Sequence, residues 1–206
     1  MPETEIVHIV DDDASLRQAL DSLFRSVGLG TRLYASAGDF LGADRTEVPG
    51  CLVLDIRMPG VSGLDFQDRL GELGVALPVV LMTGHGDIPM SVRGMKAGAV
   101  DFLTKPFRDQ DMLDAVTTAI ARDRARRETD GDQADLAQRF ATLSEREKQV
   151  MALVTAGKMN KQAAGELGLS EITVKIHRGS AMRKMGAKSL AELVRMADAV
   201  KLARPH

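Results

Sequence analysis

Short apolar runs alternate with amphipathic stretches through the first part of the chain. The runs are Ile6–Val10, Thr31–Tyr34, Cys51–Leu54, Val79–Met82 and Asp101–Thr104. Most are rich in aliphatic and β-branched residues and bounded by Gly, Pro or Asp, which predicts strands. Between them apolar positions recur at helical spacing, predicting helices at about 15–27, 36–42, 62–72, 88–97 and 109–125. Ser15, Ser36 and Ser62 are candidate N-caps, because a serine oxygen can accept an orphan amide hydrogen of a first helical turn. Five strand-then-helix units in succession predict an α/β fold, a doubly wound five-stranded parallel sheet with helices on both faces. In such sheets ligands bind beyond the carboxyl ends of the strands.

The pattern changes after residue 121. The stretch "RDRARRETDGDQADLAQRF" (122–140) has few large apolar residues and dense charge of both signs, and reads as a linker. It leaves two alternatives open: a continuation of the fifth helix as far as Gly131, or disorder around "TDGD". Beyond it the periodicity is only helical. Ser144 with Glu147 forms a capping-box pattern that starts a helix to about Ala156, and Ser189 with Glu192 repeats it for a last helix to about Lys201. Between them lie helices at about 160–167 and 171–185, joined by a tight turn at Gly168, which is helix-turn-helix spacing. Ala163, Leu167, Leu169, Ile172, Val174, Met182 and Met185 are assigned to the packing of that pair. The prediction for 141–203 is therefore a small all-α four-helix domain.

Charge sharpens the division. Residues 1–140 hold 15 Lys+Arg against 23 Asp+Glu, a balance of −8, and residues 141–206 hold 12 against 6, a balance of +6. Opposite signs suggest different partners, with nucleic acid a candidate for the basic part. A single cysteine, Cys51, cannot form an internal disulfide, so a reducing cytoplasm is the expected compartment. The acidic N-terminus is unlike a secretory signal, and no apolar stretch is long enough to span a membrane.

The strand ends carry the candidate chemistry. Asp11, Asp12 and Asp13 end the first strand, Asp55 the third and Thr83 the fourth, and Lys105 follows the fifth. In a parallel sheet these ends share one edge. Carboxylates brought together raise one another's pKa, and a hard cation such as Mg²⁺ relieves the conflict. An ammonium and a hydroxyl beside them suit a phosphoryl group, whose transfer depends on positioning and charge stabilisation. An aspartate can itself be the nucleophile. Asp13 reads as an acid favoured by the helix N-terminus, and Phe102, taken alone, as a core residue. His8 and His85 lack partners at metal-ligand spacing and read as structural. A P-loop NTPase is excluded by the lack of G-x-x-x-x-G-K-[ST]. A phosphatase of the haloacid dehalogenase type would need a second Asp where Arg57 stands.

These residues, with "RMPGVSGLDF", "TGHGDIPMSV" and "MKAGAVDFLTKPF", make residues 4–121 resemble the receiver domain of two-component response regulators, a flavodoxin-like fold, and the FixJ subfamily in particular. The resemblance implies that Asp55 is the phospho-acceptor. It also implies that Asp11, Asp12, Asp55 and the backbone carbonyl of Arg57 hold Mg²⁺ (or Mn²⁺), with Asp11 acting through water or outer contacts. Thr83 and Lys105 would bind phosphoryl oxygens, Thr83 and Phe102 would form a switch, and the Lys105–Pro106 bond would be cis. No organic cofactor is implied, and no enzyme beyond phosphoryl transfer to, and hydrolysis from, its own aspartate.

Residues 141–203, "LSEREKQVMALVTAGKMNKQAAGELGLSEITVKIHRGSAMRKMGAKSLAELV" above all, resemble the DNA-binding domain of the LuxR/FixJ/NarL type. That resemblance puts Lys175, Ile176, Arg178 and Gly179 at groove-facing positions, where arginine could pair with guanine. Lys161, Thr173, His177, Arg183 and Lys184 become phosphate binders. The implied partners are a sensor histidine kinase, double-stranded promoter DNA and a second copy of the chain, pairing when phosphorylated through the face of 88–97 and 101–104. Val92, Met95 and Ala99, beside Arg93 and Lys96, are the residues expected on that face. The alternative is a protein-interaction output, against which the positive balance argues.

Overall fold

The computed structural model describes residues 4–44, 48–58, 62–84 and 88–202. Pro59–Val61 of the "RMPGV" stretch, His85 and the end of the predicted helical domain at residue 203 lie outside them. Two compact units divide after Arg127.

In the first unit, β1 (Ile6–Val10), β2 (Gly30–Tyr34), β3 (Gly50–Asp55), β4 (Val79–Thr83) and β5 (Asp101–Thr104) form one parallel sheet in the order β2-β1-β3-β4-β5. Strand alternation builds two cores. Val7, Ile9, Cys51, Val53, Val80 and Met82 point to one face, under α1 (Ala14–Ser26) and α5 (Asp109–Ala141). Val10, Leu52, Leu54, Val79 and Leu81 point to the other, under α2 (Ala37–Gly42), α3 (Gly63–Arg69) and α4 (Ile88–Lys96). Strands covered on both faces are expected to read as continuous apolar runs, and β3 and β4 do.

Several predicted boundaries shift. Helix α1 is capped by Asp13, not Ser15: the Asp13 carboxylate accepts the amides of Ser15 and Leu16 at 2.8 and 3.3 Å. Asp13 has the extended backbone of a cap, whereas Ser15 already lies inside the first turn. Ser36 caps α2 through the amide of Asp39, while Ser62 precedes α3 without a side-chain cap bond. Helix α3 ends three residues before the predicted 72, because the amides of Leu70 and Gly74 close tight turns on Gln67 and Gly71.

The stretch predicted as a linker is helical throughout, as the second half of α5. Ion pairs one turn apart tie it together, the buried Asp123 with Arg126 and Arg127 and the exposed Asp135 with Arg139. Gly131 lies within the helix and does not interrupt it.

The second unit contains α6 (Glu145–Thr155), α7 (Asn160–Leu167), α8 (Glu171–Met185) and α9 (Leu190–Ala199). Ser144, Ser170 and Ser189 cap α6, α8 and α9. Gly168 ends α7 in the left-handed conformation at φ 64°, a region other residues enter at a cost, and this makes the turn into α8 possible. The core gathers Leu143, Val150, Met151, Ala163, Val174, Ala181, Met185 and Leu193, with Leu167, Leu169 and Met182 at its margin. Ile172, expected in this packing, is 73% exposed. It stands two residues, about 200° around the helix, from Val174 and so faces away.

Candidate functional site

Four strand ends meet at one edge of the sheet. Asp11 and Asp12 follow β1, Asp55 ends β3, Thr83 ends β4 and Lys105 follows β5. Asp11 and Thr83 are fully buried, Asp55 nearly so, and Asp12 is exposed. The Lys105 ammonium bridges the two buried carboxylates, 2.7 Å from Asp11 Oδ2 and 2.8 Å from Asp55 Oδ2. The other oxygens are held by the backbone: Asp13 N–H donates to Asp11 Oδ1 at 2.7 Å and Arg57 N–H to Asp55 Oδ1 at 3.1 Å. Lys105 is aimed inward by its own amide, which donates to the Thr83 carbonyl at 2.7 Å, and the Lys105–Pro106 peptide is cis.

Burial pushes the Asp11 carboxyl up, against the bonds from Lys105 and the Asp13 amide, and the Asp55 charge adds to the rise. Burial also acts to lower the Lys105 ammonium, but the bonds from Asp11 and Asp55 outweigh it and hold it above its ordinary value. Oxygens of Asp11, Asp12 and Asp55 lie within 4.8 Å of one another. Three convergent carboxylates are a donor set that suits a hard divalent cation.

Thr83 stands two residues beyond Leu81 on β4, and so on the same face of the sheet as Phe102, which pairs with Leu81 in register and packs half-buried beside α4. On α4 itself, Ile88, Val92 and Met95 are exposed. Two residues expected on that face are not available there. Ala99 is 5% exposed, packed in the core, and the Arg93 guanidinium turns to α3, 2.6 Å from both Asp65 and Asp68. His8 is structural: it stacks on Tyr34 and meets Phe40 edge to face, with Nδ1 3.1 Å from the Tyr34 hydroxyl.

In the second unit, Lys161, Lys175, Ile176 and Arg183 are exposed, whereas Thr173, His177, Arg178 and Gly179 are half-buried. Thr173 Oγ1 shares a 2.8 Å hydrogen bond with Ser170 Oγ. The Arg178 guanidinium is held by Asn160 Oδ1 at 3.3 Å, and Lys184 Nζ by Glu147 Oε2 at 2.7 Å and the Thr142 carbonyl at 3.2 Å. Lys184 is thus tied to the core side of α6. Bonds from Lys184, Ser180 and Ser144 hold the Glu147 carboxyl at about 2. The capping pattern identifies Glu147 in the sequence, but its partnership with a lysine 37 residues away carries no local signal.

A second missed residue is Asp123. It is fully buried in α5 and accepts the Gly50 amide at 3.1 Å, Arg126 at 2.6 Å and Arg127 at 2.7 Å. In the sequence it is one acid in a charged run.

The family described as "Response regulator receiver domain" matches residues 7–117, and that described as "Bacterial regulatory proteins, luxR family" matches residues 141–197. Nodulation protein W of Bradyrhizobium diazoefficiens is 55% identical over 201 residues, covering 98% of this chain and 88% of that protein. The transcriptional regulatory protein FixJ of Rhizobium meliloti is 45% identical over 191 residues, covering 93% and 94%. Among solved structures, the response regulator StyR superposes with a TM-score of 0.86 at 47% identity, covering 95% of this chain and 98% of that one. Full-length FixJ from B. japonicum gives 0.56 at 38% identity, covering 99% and 100%. With both families matched and relatives spanning almost its whole length, the chain belongs to the FixJ-like, LuxR-type two-component response regulators, transcription factors that join a receiver domain to a helix-turn-helix domain.

Proposed function

We propose that a sensor histidine kinase donates a phosphoryl group to Asp55, and that the phosphorylated protein binds promoter DNA as a dimer through α8. The observation that carries this reading is the Lys105 ammonium bridging Asp55 and the buried Asp11 at the sheet edge. An Asp55 carboxylate oxygen attacks phosphorus as the nitrogen–phosphorus bond of a phosphohistidine breaks. Lys105 then leaves its carboxylate bonds for the phosphoryl oxygens, and the Thr83 hydroxyl donates to another. Asp11, Asp12, Asp55 and the carbonyl of Arg57 would hold Mg²⁺ (or Mn²⁺). When bound, the ion neutralises carboxylate and phosphoryl charge. Hydrolysis of the aspartyl phosphate at this site resets the protein. Beside Lys105 an apolar groove of Leu16, Ala19, Leu20, Leu23, Pro106 and Phe107 gives the donor protein a surface to rest on.

The modified Asp55 draws Thr83 inward, Phe102 follows into the space it leaves, and α4 moves with them. Ile88, Val92 and Met95 then supply the apolar part of a dimer face. Two copies present two α8 helices to an inverted repeat, with Lys175 and Ile176 towards the bases and Lys161 and Arg183 towards phosphates. Arg178, Gly179, Thr173 and His177 extend the contact, Arg178 must release Asn160 to reach a base, and Lys184 reaches a phosphate only by leaving Glu147. No helix among the described residues is long and apolar enough to cross a membrane, and we place the protein in the cytoplasm with its promoters.

The test is phosphorylation by a small phosphodonor with and without Mg²⁺. The expected result is Mg²⁺-dependent labelling of wild type, none of Asp55→Ala, and at least a tenfold loss in Asp12→Ala. Equal labelling of all three would overturn the assignment.

A further inference from the structure

Helix α4 rests on the core through Gly94 near its C-terminal end and, more loosely, through the half-buried Met90. Gly94 is its one buried residue among those described, whereas Ile88 is 79% exposed and Val92 44%. The fit at Gly94 is tight: a Cβ there would stand 2.4 Å from Leu81 Cδ1 and 3.3 Å from Leu64 Cδ2. The first distance does not occur between unstrained carbons and the second is tight, so at this point backbone packs directly on the core.

A side chain of α3 closes on the same residue. Gln67 is 6% exposed, and its Nε2 donates to the Gly94 carbonyl at 3.2 Å. That carbonyl also accepts the Ala99 amide at 3.1 Å, in the turn that ends α4, so both of its lone pairs are used. Next to it, Arg93 reaches Asp65 and Asp68 on α3. The other end of the Gln67 amide has no such use. Oε1 is buried and accepts no hydrogen bond among the described residues. A leucine or methionine would fill a similar space but lack the donor that Nε2 supplies to the Gly94 carbonyl.

We infer that Gln67 is a positioning residue, the pin about which the switch helix turns. It fixes the C-terminal end of α4 through the Gly94 carbonyl. A displacement at the Thr83 end then swings the exposed end that carries Ile88 and Val92, instead of being lost in a slide of the whole helix. This inference rests on the phosphorylation-driven pairing proposed above.

The experiment uses the full-length chain with Gln67→Leu and Gln67→Met. Hydrogen exchange reports the amides of Ala97, Gly98 and Ala99, and sedimentation velocity with and without beryllofluoride reports pairing. The expected result has three parts. The thermal midpoint is unchanged or raised. Protection of those three amides falls at least tenfold. The gain in dimer affinity that beryllofluoride produces in wild type shrinks at least fivefold, while the mimic's affinity for dilute monomer changes less than twofold.

Unchanged protection in both variants would overturn the pin, as would undiminished pairing once protection is lost. A midpoint lowered in both variants, with exchange raised throughout the receiver, would make Gln67 an ordinary core residue and also overturn it. If wild type itself does not pair on adding the mimic, the phosphorylation reading fails instead. The pin is then judged by exchange alone.

Discussion

A histidine in the middle of a buried strand is a poor place for a charge, and His8 is arranged to stay neutral. Burial, with the Arg32 charge adding to it, lowers its pKa from 6.5 to about 4. The folded state thus binds fewer protons than the unfolded state between those values. The contribution of neutral His8 is complete above pH 6.5 and is lost as pH falls from there towards 4. On the order of 2–4 kcal/mol is at stake for a shift of that size. His8→Phe, which keeps a ring against Tyr34 and Phe40, is expected to flatten this part of the pH dependence. Urea unfolding of both proteins at pH 7, 5.5 and 4.5 checks it, and parallel slopes would refute it. The residues of the proposed phosphorylation site were easier to read than this one. Asp55, Thr83 and Lys105 each close an apolar run, so the parallel sheet places them on one edge, and their family signature does the rest. His8 shows only that it has no ligand partner. Its neutrality depends on Tyr34 and Phe40, 26 and 32 residues away.

At the level of elements, caps and tight turns were legible where a single residue type decides them, as at Ser36, Ser144 and Gly168. Linker structure was not. The run at 122–140 offers charge of both signs, which suits a solvated helix and a disordered segment equally. What decides between them is outside the run: Asp123 is anchored at the start of β3. Burial acts to raise the Asp123 carboxyl, but the bonds from Arg127, Arg126 and the Gly50 amide prevail and hold it below its ordinary range. Asp123→Ala is expected to destabilise the receiver by about 2 kcal/mol, because the Gly50 N–H is left buried without an acceptor. It should also raise exchange along the following turns of α5. Denaturant titration and exchange mapping together check this. Exchange confined to Gly50 would show that Asp123 does not anchor the helix.

For the whole molecule, the reading from charge survives but changes in detail. Two units of opposite sign are visible in the sequence, and the positive one carries the LuxR-type domain. Individual cations are a different matter. Lys184 is spent on Glu147 and Arg178 on Asn160, pairings that no spacing rule reveals. Fewer side chains than the count of basic residues suggests are therefore ready to meet phosphate. Operator affinity should still fall steeply with salt, each phosphate contact adding about 0.9 to the slope of log affinity against log salt concentration. Lys161→Ala and Arg183→Ala should each reduce that slope measurably per protomer. Lys184→Ala should act mainly by lowering the stability of the second unit. A filter-binding series across salt concentrations separates the two effects, and an equal loss of slope in all three variants would contradict the pairing described for Lys184.

Cys51 lies near the start of β3, the central strand between β1 and β4, with no exposed surface, and burial pushes its thiol well above the ordinary range. The folded receiver therefore offers nothing to a sulfhydryl reagent, while its unfolded form offers one reactive group. The natural chain carries its own clock. The rate at which it consumes a thiol probe counts openings of the central sheet alone, blind to melting in the helical unit. The steadiness of the receiver can thus be followed inside the intact protein, with or without DNA, without cutting the two halves apart.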